Sequence, residues 1–236
     1  MTILFKKRVI HSLNLDSMLF ATFFIFFKVK WFLFKERKEV RRRFPAFLPF
    51  ELALDRVYRF HNPFHICRKY LKQKGEQCPD AYGETPLPVL AKIAEECNLS
   101  SEDTLFDLGC GRGRGALFLS HLTGCHVVGI DWIPFFIQKA QEISASTFPR
   151  LLTAFRCIEM QSADLSGATV IFLYGTCLSD EVINTLIGRF ERLSPQIKII
   201  TVSYPLSDYS LRFKVLKQFS ALFPWGEGEI YINSLK

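Results

Sequence analysis

The seven cysteines (67, 78, 97, 110, 125, 157 and 177) include no C-x-x-C pair, have no histidine at metal-ligand spacing, and are odd in number. These absences exclude a disulfide framework or zinc module as the organising feature, and free thiols in a reducing compartment follow. The five histidines (11, 61, 65, 121 and 126) form no triad or metal spacing. No metal is expected. The apolar run at residues 18–27, MLFATFFIFF, is only half the roughly 20 residues that a membrane-spanning helix needs. No small-residue cleavage site follows it, so it does not read as a signal peptide. There are no internal repeats.

Positive charge is scarce where a nucleic-acid binder would need it. The chain carries +7, yet its first 43 residues hold eleven Lys and Arg against Asp16, Glu36 and Glu39, a net +8 that leaves −1 for everything after. The globular part is not a basic body, and a nucleic-acid substrate is not expected. Residues 1–43 read as an apolar and basic extension. It packs on the domain as a Phe-rich helix, or it contacts a membrane. Were Lys28 and Lys30 to snorkel, residues 18–34 would approach spanning length; lying in the interface, the basic run to Arg43 would meet anionic headgroups. If the extension spans, the denser basic flank downstream puts the globular part in the cytoplasm; if it only attaches, the domain sits at the cytoplasmic face. Met18 is an alternative start.

At 236 residues with 49% hydrophobic composition, one well-buried domain is expected beyond this extension. Residues 44–80 give a broken helical pattern, with a turn at Asn62-Pro63, and read as a helical collar. Residues 81–236 form the main domain. A helical period over TPLPVLAKIAEECNL precedes strands and helices in alternation: TLFDL, ALFLSHL, HVVGID, PFFIQKAQEISAS, LTAFRCIE, TVIFLY, SDEVINTLIGRFERL and IKIITVSY. Such alternation predicts a doubly wound α/β fold with a mostly parallel, seven-stranded sheet. FKVLKQF and GEIYINS, with no helical pattern between them, predict a closing hairpin that puts an antiparallel strand into the sheet.

What stands out against these absences is DLGCGRGRG, residues 107–115. Its glycines follow the first strand, at the sheet end where open α/β folds bind ligands. Gly109, Gly111 and Gly113 remove the Cβ atoms that would hold a nucleotide-like ligand away from the turn. The dinucleotide pattern fails because Arg114 stands where its third glycine belongs, and no P-loop Lys-Ser/Thr pair is present. Asp107 would repel a pyrophosphate and attract an amine. S-adenosylmethionine offers an amine and a sulfonium and has no phosphate. Asp131, ending HVVGID, lies near the ~20-residue offset at which an acid takes ribose hydroxyls. For the adenine amine the third strand offers Glu159, with Met160 able to lie on the ring; Asp164 is the competitor. Arg112 and Arg114 either meet the cofactor carboxylate or begin the next helix in solvent.

With these residues in place, the sequence resembles the seven-strand, class I S-adenosylmethionine-dependent methyltransferases, whose first motif DLGCGRG matches. A closer likeness lies in AYGETPLPVLAKI, residues 81–93, with ATVIFLYG. These resemble the disruptor-of-telomeric-silencing group of lysine methyltransferases, in which a Tyr-Gly-Glu-Thr loop closes over the cofactor. The resemblance implies that role for Tyr82, Gly83, Glu84 and Thr85, with Glu84 and Thr85 nearest the cofactor's methionine end. At the fourth strand the likeness stops: Tyr174-Gly175-Thr176-Cys177 replaces the Asn-Asn-Phe segment that shapes the acceptor channel there. A histone substrate is therefore not carried over. The Asn/Asp-Pro-Pro-Tyr/Phe signature of base and glutamine methylation is absent too.

Methyl transfer from a sulfonium is an in-line displacement by an already activated reagent, so positioning and water exclusion dominate. Tyr174 and Thr176, at the end of the fourth strand, are the candidates to orient the nucleophile, with Tyr204 nearby. No catalytic base is evident. A protein lysine is the leading acceptor; a small lipophilic acceptor, a quinone or lipid, is the alternative; a non-catalytic nucleotide-binding module is disfavoured by the intact Asp107, Gly109, Gly111 and Asp131.

Overall fold

The structure, a computed structural model, describes residues 15–76, 82–147 and 149–236. Its first element is the helix α1 (Leu15–Arg43), followed by a 3-10 turn (Pro45–Phe47), α2 (Leu48–Tyr58) and α3 (Pro63–Gln73). Pro at the first helical turn opens α2 and α3, where the missing N–H is no loss, and Asn62 caps α3 by accepting from the Phe64 N–H. The remaining order is α4 (Leu87–Cys97), β1 (Thr104–Leu108), α5 (Arg114–Thr123), β2 (His126–Asp131), α6 (Pro134–Thr147), β3 (Thr153–Cys157), β4 (Val170–Leu173), α7 (Asp180–Phe190), β5 (Lys198–Val202), β6 (Phe213–Phe223) and β7 (Gly226–Leu235).

The sheet runs β3-β2-β1-β4-β5-β7-β6. Five strands are parallel, and β7 lies antiparallel between β5 and β6. The strands buried on both faces, LFDL and VIFL, are continuous apolar runs broken only by Asp107, as parallel strands covered twice must be. From β1 the chain winds one way to β2 and β3 and the other way to β4 and β5. The gap outside β1 and β4 is thus the place for a ligand. Two cores flank the sheet. One joins α2, α4, α5 and α6 through Phe47, Phe50, Phe118 and Phe136; the other holds α7 through Ile183, Leu186 and Phe190.

The basic extension is not a separate appendage. The last turns of α1 bury Glu36 and Val40 against the domain, while Phe24, Phe27, Trp31 and Phe34, spaced along one face, remain exposed. No helix among the described residues is long and apolar enough to cross a membrane. Glu36 accepts from the Leu87 backbone N–H at 3.0 Å and from the Arg114 guanidinium at 3.0 Å. Stranding part of a buried ion network costs about 3 kcal/mol. Removal of residues 1–30 is therefore expected to leave the thermal midpoint within a few degrees, whereas removal of residues 1–43 lowers it by roughly 10 °C. Differential scanning calorimetry of the two truncations checks this.

Candidate active site

The turn after β1 is fixed by the main chain: Gly109 and Cys110 donate to the Ile130 carbonyl at 2.8 and 3.0 Å, which ties the glycine loop to the end of β2. Asp131 completes the tie. Its two carboxylate oxygens accept from the Gly111 and Ile133 N–H groups, each at 2.9 Å. Gly111, at φ +54°, lies so close under the Tyr82 ring that a Cβ would sit 3.1 Å from it. The bare Gly111 thus admits the protein's own Tyr82 ring against the turn. Gly113 differs: a Cβ there would meet Ala140 and Phe155 at 2.8 Å, so its bareness makes room for α6 and β3 and caps α5.

A crevice opens at the switch point between β1 and β4. Glu84, Thr85, Asp107, Gly109, Gly111 and Tyr174 all line it, together with Leu90, Cys110, Arg114 and Phe172. Six of the residues picked from sequence are therefore brought together, and Tyr82 and Asp131 adjoin them through Gly111. Glu159 lies two residues beyond the end of β3, exposed, although the sequence pattern had carried that strand to it. Asp164 serves a turn, its oxygens taken by the Ser166 N–H and hydroxyl at 2.9 Å each. Met160 has its terminal methyl 3.4 Å from the position a Gly109 Cβ would take, and Arg189 of α7 clamps the following segment by donating to the Gln161 and Ala163 carbonyls. Thr176 stands outside the crevice beside the Tyr174 hydroxyl.

The charges are the least anticipated feature. Neither arginine of the loop faces solvent or stands free for a carboxylate. Arg112 makes a paired contact with Glu84 at 2.5 and 2.9 Å, and the Tyr82 hydroxyl donates to the same carboxylate at 2.5 Å. Burial would raise the Glu84 carboxyl, but Arg112 overrides it and holds it down at about 2. Arg114 takes Glu51 of α2 in a fork at 2.7 and 3.0 Å and Glu36 of α1 at 3.0 Å, with Glu84 at 3.9 Å. Glu36 and Glu51 were missed from sequence, and Arg114 does begin the helix after the loop, but buried between them and not in solvent. Glu36 carried one signal, an acid inside a run of cations; Glu51 carried none.

Asp107 has no such partner. It is 6% exposed and makes no ion pair among the described residues. Burial pushes its carboxyl up to about 7, and the charge of Asp131 adds to the rise. Burial raises Asp131 to about 6 against the three backbone N–H groups that favour its anion. A buried carboxylate without a partner, beside a second acid, would be stabilised by a bound cation.

A family model for histone methylation protein DOT1 matches residues 65–156, the segment from α3 through β3 that contains the glycine loop and both acids. No curated protein matches the chain. Among solved structures, an RNA methyltransferase from Salinibacter ruber, in complex with S-adenosyl-L-homocysteine, is 27% identical. It superposes with a TM-score of 0.54 over 65% of this chain and 93% of that one. The chain is an S-adenosylmethionine-dependent methyltransferase. The tRNA methyltransferase TrmK of B. subtilis (10% identity, 66% of this chain and 67% of that, TM-score 0.51) and a putative RNA methyltransferase of Pyrococcus horikoshii (13%, 66% and 87%, 0.51) share the fold.

Two features of the methyltransferase crevice suit its cofactor: bare backbone at Gly109 and Gly111 in the lining, and the buried Asp107 carboxylate with no ion-pair partner among the described residues. The bound molecule supplies an activated methyl group on sulfur. Because Asp107 and Asp131 titrate high, the empty fold is most stable when they are protonated and loses that contribution as pH rises from about 4 to about 7. If Asp107 takes the cofactor's ammonium as its anion, binding gains as pH rises through the upper part of that window. Affinity for S-adenosylmethionine is expected to fall by roughly tenfold between pH 7 and pH 5.5, and Asp107→Asn flattens the profile. Isothermal titration calorimetry across that range tests it; a flat wild-type profile would remove Asp107 from the cofactor site.

Proposed function

We propose that the enzyme methylates a lysine amine of a protein, with Tyr174 and Thr176 orienting the nucleophile. The observation that carries this reading is the aromatic wall at the mouth of the crevice. Tyr174 lies 3.3 Å from the position a Gly83 Cβ would take, so it abuts the Tyr-Gly-Glu-Thr loop. Phe223 stacks on Tyr174 at 5.8 Å between centroids, Trp225 stacks on Phe223 at 5.0 Å, and the Trp225 indole N–H donates to the Tyr174 hydroxyl at 2.8 Å. A lysine must arrive as the neutral amine, and packing its stem against these ring faces favours loss of its proton by desolvation. Burial also raises the Tyr174 phenol, which keeps it neutral as a hydrogen-bonding group. The likeness to histone methylation protein DOT1 supports a protein acceptor.

In the same reading Asp107 takes the cofactor's ammonium and Asp131 its ribose hydroxyls over Gly109 and Gly111, with Thr85, Glu84 and Tyr82 closing the methionine end and Gly113 setting the turn. Glu159 is the better adenine contact, because Ser166 already occupies Asp164. The chain divides by role into residues 1–43, which contact a membrane, residues 44–80, which buttress the site, and residues 81–236, which bind cofactor and acceptor. Station at the cytoplasmic face follows from the exposed Phe24, Phe27, Trp31 and Phe34 with the cations from Lys28 to Arg43 around them.

A small lipophilic acceptor is the second reading, favoured by that same apolar face. Lysate incubated with methyl-labelled cofactor and separated into protein, RNA and organic extract decides between them. Label in protein that survives nuclease and lipid extraction is expected. Label confined to the organic layer makes the acceptor a lipid or quinone, and label confined to RNA brings the substrate class of the Salinibacter protein here. The full-length chain is expected to co-sediment with vesicles containing phosphatidylserine and to be released by salt. Phe24→Ser with Phe27→Ser weakens that binding several-fold, and full-length protein left in the supernatant overturns membrane contact.

A further inference from the structure

Tyr58, the last residue of α2, lies outside the segment that the family model matches. It is only 7% exposed, and its hydroxyl is buried with no hydrogen-bond partner. The ring is held from several sides. Phe135 meets it edge-on at 6.1 Å, Phe136 lies at 6.2 Å, and the Arg112 guanidinium sits 5.4 Å from its centroid. Through Arg112 the ring is coupled to the glycine loop, and the charges that act on its hydroxyl are those of Arg112, Glu84 and Asp131, of which Glu84 lines the crevice and the other two adjoin it. A phenol buried without a partner is a destabilising liability that phenylalanine would avoid at nearly the same volume. Such an atom is accounted for when a ligand supplies what the protein does not.

We propose that Tyr58 is a cofactor-binding residue: its hydroxyl donates a hydrogen bond to a polar oxygen of bound S-adenosylmethionine, so that α2 contributes directly to the cofactor site. This inference rests on the reading of Asp107 and Asp131 as that site. It explains why the end of α2 is packed so closely against Arg112 and α6. It also gives the collar a function beyond buttressing, since α2 then supplies both Glu51 to the loop's arginine and a hydroxyl to the ligand.

Tyr58→Phe removes one oxygen and nothing else. In the full-length protein the empty variant is expected to melt at or slightly above the wild-type temperature, because the orphan hydroxyl is gone. Its dissociation constant for S-adenosylmethionine and S-adenosylhomocysteine rises about tenfold. Methylthioadenosine, which lacks the amino-acid portion, locates the contact: an equal loss assigns it to the ribose, and an unchanged affinity assigns it to the cofactor's carboxylate. Asp131→Ala is measured alongside. Tyr58→Phe within twofold of wild type for all three ligands, with Asp131→Ala impaired, overturns the inference while leaving the site intact. A fall of several degrees in the melting temperature of empty Tyr58→Phe overturns it too, since the hydroxyl then has a partner within the protein. Wild-type affinity in Asp131→Ala would sink the site reading and this inference with it.

Discussion

The Arg114 guanidinium is the joint on which the architecture turns. It is buried at the first position of α5, directly after the glycine loop, and carboxylates from α1 and α2 close on it while Glu84 stands a little further off. An ion in such a place forfeits several kcal/mol of hydration, and only near-complete hydrogen bonding offsets that loss. A planar fork with five donors satisfies Glu51 through two bonds and Glu36 through a third; a lysine ammonium has neither the shape nor the reach to do both. The glycine loop is therefore positioned by helices more than sixty residues away in sequence. The collar and the end of the basic extension form part of the site's foundation.

Charge around the crevice is unbalanced in a way that the ligand corrects. Glu36, Glu51, Glu84, Asp107 and Asp131 bring five carboxylates against the two guanidinium groups of Arg112 and Arg114. The first three are the ones that the arginines hold, and Glu84 accordingly ionises easily. Asp107 and Asp131 are left as the acids that ionise reluctantly. S-adenosylmethionine carries two cationic groups and one carboxylate, so its arrival relieves the excess. With both arginines already committed, the cofactor carboxylate must find neutral donors such as backbone N–H groups, Thr85 or a phenol, or displace Glu84 from Arg112. Recognition then depends chiefly on the positive end of the ligand.

Much of the sheet was legible because its signals are local. Continuous apolar strands, amphipathic helices and the hairpin are set by periods of two and 3.6 residues, and the switch point follows from their order. Asp107 and Asp131 were legible for the same reason, since strand ends have fixed places in this topology. Glu159 was displaced because β3 closes at Cys157, after which Ile158 and Glu159 turn outward and Arg189 draws the following carbonyls toward α7. The arginine network was illegible. Glu36, Glu51 and Arg114 meet across separations of 63 and 78 residues, and nothing in the spacing of either segment encodes such a meeting. Gly113 shows the converse limit: a motif glycine whose need is packing against Ala140 and Phe155 looks the same in sequence as one that faces a ligand.

The cofactor and acceptor halves of the site are built from different physics. On the cofactor side, charge decides: acids at strand ends, main-chain donors and a loop pinned by ion pairs, all within or beside the matched residues 65–156. On the acceptor side, rings decide. Tyr174, Phe223 and Trp225 come from β4 and the β6–β7 hairpin, beyond the end of that match, and the hairpin is the one place where the sheet's parallel order is broken. Because β7 inserts between β5 and β6, the turn at Trp225 is carried back over the ends of β4 and β5 to the mouth of the crevice. A family likeness that ends at residue 156 therefore carries the reaction without the substrate. Under the proposed lysine acceptor, the hairpin would govern acceptor choice, because the half-exposed indole of Trp225, locked to the Tyr174 hydroxyl, stands at the mouth of the crevice.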